Sequence, residues 1–124
     1  AYAMAGFGPE AVDVAEVHDT TAASELMLYE KLGLCPPNGG PAFIESGAAA
    51  LGGRLPVNPS GGLIARGHPV GATGVAQVCE LVWQLRGQAG ERQVHGARKA
   101  LAHNAGGTVC GESASVAVHL LEAF

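Results

Sequence analysis

The stretch Asn58–Gly74, NPSGGLIARGHPVGATG, packs five glycines, two prolines and a single histidine into seventeen positions, then runs into a long apolar segment. A chain with so many glycines is built to turn sharply or to approach something closely. Pro69 suits the first position of a helix. Behind it Val75, Val78, Cys79, Val82 and Trp83 recur at i, i+3, i+4, i+7 and i+8, while Gln77, Glu80 and Gln84 share another face. The spacing predicts a helix over 70–86, largely buried, with His68 held just before its N-terminus. Gly67, Gly71 and Gly74 leave room there for backbone or ligand.

Upstream, AVDVAEVH (11–18) follows a Gly8–Pro9 turn and sets Val12 and Val14 on one face, the pattern of a strand ending at His18. TTAASELMLYEKLGL then offers Thr20 or Thr21 as N-cap, strong helix formers from 21 to 32, and Gly33 as the stop. His18, Asp19 and Thr20 therefore sit at a strand-to-helix junction. Downstream, ARKALAHNAGG reads as a short apolar strand and SASVAVHLL (113–121) alternates as another, with Gly106 and Gly107 as the turn between them. Strand, helix, long Gly/Pro loop, helix, strand, strand is an α/β order, a mixed β-sheet covered by helices. The opening AYAMAGFG reads as the tail of an Ala-rich helix, so the unit is expected to be truncated at its N-terminus, without its first strand and helix.

At 124 residues, 48% hydrophobic and 15% charged, the chain is one globular domain, 1–124, able to form a core. A net charge of −4 with seven thinly spread Lys and Arg gives no stripe for a nucleic-acid backbone and no cationic face for lipid, and no membrane span is expected. Cys35, Cys79 and Cys110 are an odd number in no metal-like spacing, so neither a disulfide framework nor a metal site is expected. No leader or address signal is read at either end, and a reducing, cytoplasmic setting is the expectation.

The glycine-rich stretch is not the dinucleotide G-x-G-x-x-G, and no Gly-Lys-Ser/Thr follows to make a P-loop. Ser60 lies in Pro-Ser-Gly-Gly, not in a G-x-S-x-G elbow. A histidine fixed by proline and glycines at a helix start does suit negative charge, and an imidazole there can donate to a developing oxyanion. Acyl chemistry is the class this points to.

Three segments, VHDTTAASELMLYEKLGLCP, NPSGGLIARGHPVGATGVAQVCELVWQLRG and ALAHNAGG, together resemble the C-terminal part of a thiolase, most like the sterol-carrier-protein (lipid-transfer-protein) type. The resemblance implies a thiolase-like C-terminal half-domain. It also implies acyl-CoA substrates, with an acyltransferase that forms or cleaves a carbon–carbon bond beside a thioester through a nucleophilic cysteine in an N-terminal thiolase domain. Coenzyme A enters as substrate, and no separate cofactor is implied. His68 matches the Gly-His-Pro histidine that assists thiolate formation and stabilises the thioester oxygen. His18 matches the histidine of His-Asp-Cys-Phe, an oxyanion donor. Gly106 matches the glycine of the late Cys-x-Gly motif, and Asn104 stands where its cysteine would be. Gly67, Asn104 and Gly107 are expected on the substrate. A homo-oligomer is implied, and a small zinc-ribbon, OB-fold subunit is a partner type seen with this kind of thiolase.

Thr20 departs from the pattern, since that position usually carries the cysteine that moves the enolising proton. A thiol titrates near about 8.5 and exchanges protons at neutral pH, whereas an alcohol stays protonated. A thiolase-like aldolase or condensing enzyme is thus one alternative, and a non-catalytic thiolase-like subunit another. Cys110 could replace the thiol only if the loop after Gly107 folds toward the pocket. By themselves, Thr20 also reads as an N-cap, Asp19 as a residue orienting its loop, His103 as structural, and His95 and His119 as surface or sheet residues.

Overall fold

The computed structural model of the protein describes residues 1–110 and 112–124. Its sheet has three strands in the order β1 (Val14–Glu16), β2 (Lys99–Val109) and β3 (Glu112–Glu122). β1 runs parallel to β2, with Val14 opposite Ala100 and Glu16 opposite Ala102, and β2 and β3 form an antiparallel hairpin from Lys99–Glu122 to Val109–Glu112. The sheet is mixed, as its strand order demands. On the other flank of β1, the Ala15 N–H donates to the Pro56 carbonyl and the Asn58 N–H to the Ala15 carbonyl. A strand of only three residues is thereby enclosed on both edges, and all three are buried.

Alternation along β1 divides the core. Ala15 and Val17 pack with Tyr29, Phe43, Leu55 and Leu101, while Val14 packs with Leu81, Ala100 and Ala102. Val12 joins the first cluster, not Val14's, because it closes a 3₁₀ turn over Pro9–Ala11 and lies outside the strand.

Among the described residues five α-helices accompany the sheet: α1 (Tyr2–Ala5), α2 (Ala22–Lys31), α3 (Gly40–Glu45), α4 (Gly62–Arg66) and α5 (Thr73–Leu85). Thr21, not Thr20, caps α2. Its hydroxyl accepts from the Ser24 N–H while the Ser24 hydroxyl accepts from the Thr21 N–H, and Gly33 follows the C-terminus at φ 72°. α3 and α4 lie in the stretch read as loop, each too short to leave a periodic pattern.

α5 corrects the expectation twice. It begins at Thr73, not at 70, because Gly71 takes φ 88° and the Pro69 carbonyl closes a turn with the Ala72 and Thr73 N–H groups. It also buries the other face: Gln77, Glu80 and Gln84 are inside with Leu81, while Val75 and Trp83 stay 64% and 47% exposed. The polar face can turn inward because each of its groups finds a partner. Glu80 pairs with Arg92 at 2.9 Å, Gln84 donates to the Arg92 carbonyl at 2.7 Å and accepts from the Val94 N–H at 2.7 Å, and Gln77 donates to the His103 carbonyl at 3.1 Å.

Gly106 and Gly107 do not make the hairpin turn. Gly106 lies within β2 opposite Ser115, Gly107 takes φ 66° inside the strand, and the chain reverses around Cys110, at φ 52°. A left-handed glycine inside a strand leaves the same trace in a sequence as a turn glycine. No helix of the described residues is long and apolar enough to cross a membrane.

Three side chains stitch the 58–66 loop to the end of β1. The Asn58 side-chain oxygen accepts from the Val17 N–H at 2.8 Å. Glu16 accepts from the Ser60 N–H at 3.0 Å and its hydroxyl at 2.7 Å, and pairs with Arg66 at 3.2 Å. Burial pushes the Glu16 carboxyl above its ordinary range, against the pull of Ser60 and Arg66. Asp19 accepts from the Leu63 N–H at 2.7 Å and the Ile64 N–H at 3.4 Å, capping α4. Gly62 is what lets the carboxylate in: it takes φ 62°, and a Cβ there would be driven into the Asp19 side chain. Gly62→Ala is expected to cost about 2 kcal/mol or more of stability. Urea unfolding measures it, and a loss under about 0.5 kcal/mol would show that neither the φ nor the Asp19 contact constrains this position.

Candidate functional site

Two loops meet because Asp19 holds them together: His18 leaves β1 and His68 follows α4. Their rings are 4.8 Å apart between centroids and perpendicular. His18 Nδ1 lies 3.1 Å from the side-chain amide nitrogen of Asn104, which donates at 2.9 Å to Gln77 Oε1. His68 Nδ1 lies 2.8 Å from Thr73 Oγ1, which is 3.3 Å from the Pro69 carbonyl oxygen. Thr73 has a single hydroxyl proton, and both the Pro69 carbonyl and His68 Nδ1 are placed to accept it.

His18 is buried, and its pKa is lowered first by that burial and then by His68, with Asp19 pulling the other way. His103, on β2, is buried too. Its pKa is lowered by desolvation and by His18, and its Nδ1 has no hydrogen-bond partner among the described residues.

An open cleft of about 900 Å³ runs past these rings. His18, Thr20, His68, His103 and Gly107 line it, and Met27, Leu28, Leu32, Val116 and Val118 give it apolar walls. A second hollow of about 390 Å³ adjoins it, lined by His68, Thr73, Gln77, Asn104, Gly106 and Gly107. Most of the expected site residues therefore converge, but in two compartments. Thr20 faces the first and Gly106 the second, while His68 and Gly107 border both. Thr20 is free of capping duty, its hydroxyl 3.3 Å from that of Ser24.

Two residues lie apart. Gly67 ends α4 at φ 80°, its N–H bonded to the Leu63 carbonyl, outside the residues that line either cleft. Cys110 is exposed at the hairpin turn and is not among the described residues that line either cleft. His95 and His119 are exposed. Sequence reasoning passed over Thr73 and gave His103 only a structural role. In the sequence Gln77 reads only as one of a face shared with Glu80 and Gln84, and that polar row along an otherwise apolar helix is the available signal.

Comparison with known proteins fits this geometry. A family described as "Thiolase C-terminal domain-like" matches residues 1–119. The chain belongs to that family. It is 56% identical over 105 residues, 85% of this chain, to Sterol carrier protein 2 of Rattus norvegicus. Against the Acetyl-CoA acetyltransferase of Methanothermobacter thermautotrophicus it is 48% identical over 120 residues, 97% of this chain. It spans 19% of the first relative's length and 30% of the second's. Among solved structures it is similar to a chain of the "Ltp2-ChsH2(DUF35) aldolase", with TM-score 0.77 and 28% identity, covering 98% of this chain and 29% of that one.

The site's division of labour predicts a contrast in stability. Thr21→Ala should cost about 1 kcal/mol through the lost cap, whereas Thr20→Ala should stay within about 0.5 kcal/mol. Equal losses in thermal unfolding would return Thr20 to a structural role. The buried imidazoles set a pH dependence as well. With His18 and His103 both lowered, the folded protein binds fewer protons than the unfolded chain, so stability is full above the unfolded value near 6.5 and declines as pH falls below it. His103→Gln should flatten that decline between about pH 7 and 5. An unaltered slope would show that His103 is not one of its sources.

Proposed function

We propose that this chain carries the C-terminal half of the active site of a thiolase-type acyl-CoA acyltransferase, acting on 3-ketoacyl-CoA in thiolytic cleavage or Claisen condensation. The observation that carries the reading is the perpendicular His18–His68 pair at the mouth of a cleft with apolar walls. His68 Nε2 takes the proton of a cysteine thiol supplied by an N-terminal thiolase domain. The thiolate then attacks the 3-keto carbon, and His18 donates to an oxygen that gains negative charge. Gly106 offers a backbone N–H to the second oxyanion, Gly107 and Asn104 border the substrate, and Gly67 shapes the loop before His68. The exposed Val75, Cys79 and Trp83 stripe of α5 is where the N-terminal domain would pack. The chemistry asks for coenzyme A as substrate and for no other cofactor, in a cytoplasmic homo-oligomer.

Thr20 favours a second reading. Its hydroxyl cannot shuttle a proton as a thiol does, and one of the similar structures is titled an aldolase. A thiolase-like aldolase would use the same oxyanion donors to stabilise an enolate without forming an acyl-enzyme, and a small zinc-ribbon, OB-fold subunit would be its partner class. Assay of the complete protein with acetoacetyl-CoA and CoA separates the two: robust thiolysis removes the aldolase, whereas no thiolysis with cleavage of a 3-hydroxyacyl-CoA supports it. Under the first reading His68→Ala lowers kcat by about 10² to 10⁴-fold with KM within a few-fold, because the lost base acts in activating the thiol and not in holding the substrate. Full activity of that variant would reject the role given to His68.

A further inference from the structure

We propose that Gln77 and Asn104 are positioning residues which, anchored on the His103 backbone carbonyl, hold His18 as the tautomer with its proton on Nε2, the nitrogen left for a ligand. The assignment follows from one group whose polarity is beyond choice. A backbone carbonyl only accepts, so the Gln77 atom 3.1 Å from the His103 oxygen is the amide nitrogen, and Oε1 is what Gln77 turns toward Asn104. An amide oxygen also only accepts, so the Asn104 atom 2.9 Å from it is Nδ2. That nitrogen has two protons: one goes to Gln77, and the other faces His18 Nδ1 at 3.1 Å. His18 Nδ1 must therefore be the acceptor, and the neutral ring carries its hydrogen on Nε2. Each step is a hydrogen bond in a row that starts at the backbone of β2 and ends on a ring lining the main cleft.

The row accounts for two features otherwise unexplained. Gln77 is fully buried on a helix whose apolar stripe is outside, and Asn104, expected on the substrate, spends both amide protons on protein acceptors. It leaves the His18 Nε2 proton turned away from Asn104, on a ring whose centroid lies 4.8 Å from that of His68. Protonating His18 at Nδ1 would set two donors against each other, and the groups around the ring reinforce this: His68 before α5 and His103 on β2 oppose a second positive charge, Lys31 of α2 lines the same cleft, and Asp19 alone favours one.

The inference rests on the reading of His18 as an oxyanion donor, and its test separates the two. In the complete protein labelled with ¹⁵N-histidine, His18 is assigned by the signals lost in His18→Gln. The expected spectrum at neutral pH shows Nε2 protonated and Nδ1 bare, and the reverse pattern overturns the relay without any reference to activity. Asn104→Asp replaces the donor with a carboxylate that draws a proton onto Nδ1. The His18 titration should move up by about one pH unit or more, the acidic limb of the kcat profile should follow it, and kcat should fall by about 10 to 100-fold with KM little changed. Titration and kcat both unchanged in that variant would overturn the proposal. A wild-type His18 with Nε2 protonated in a protein that turns over no acyl-CoA would sustain the relay and reject the proposed function alone.

Discussion

Asp19 on the N-terminus of α4 is the constraint on which the site depends. Its carboxylate satisfies two N–H groups that a helix of five residues cannot satisfy for itself, and it sits one residue beyond His18. Capping α4 therefore fixes the distance between the loop that carries His18 and the loop that carries His68. Glu16 repeats the device from the same strand end and Asn58 answers it from the glycine-rich stretch, so three polar side chains hold that stretch where it has few apolar ones to bury. Gly62 belongs to this arrangement as a missing side chain, the space that a carboxylate occupies.

The polar interior around α5 follows a similar logic. A buried glutamate and two buried glutamines would be costly alone, but each is closed by a backbone carbonyl, a backbone N–H or a guanidinium. Such groups accept few alternative arrangements. Apolar packing tolerates small slides and hydrogen bonds do not, so the network gives the helix a definite register against β2.

Much of this architecture was legible in the sequence, for identifiable reasons. α2 announced itself through Thr21, a run of helix formers and Gly33. The mixed sheet followed from the order of elements, and both histidines stood out because glycine and proline surround one and Asp-Thr-Thr follows the other. What failed were inferences that needed a partner surface. The apolar spacing of α5 predicts a largely buried helix, because apolar rows usually face inward, and nothing within one helix says which side the sheet lies on. Gly106 and Gly107 were placed in a turn because left-handed glycines look alike wherever they occur. Thr73 and Gln77 went unnoticed as neighbours of the site because their importance lies in hydrogen bonds to β2 and to Pro69, which appear only once the chain is folded.

α5 also has a mechanical meaning. Thr73, which orients His68, and Gln77, which leads to His18, stand about one turn apart on the same thirteen-residue rod. The opposite side of that rod presents Val75, Cys79 and Trp83 to whatever covers them. Whatever covers the outer side therefore rests on the same element that carries the partners of both imidazoles, so the docking surface and the site are two faces of one helix.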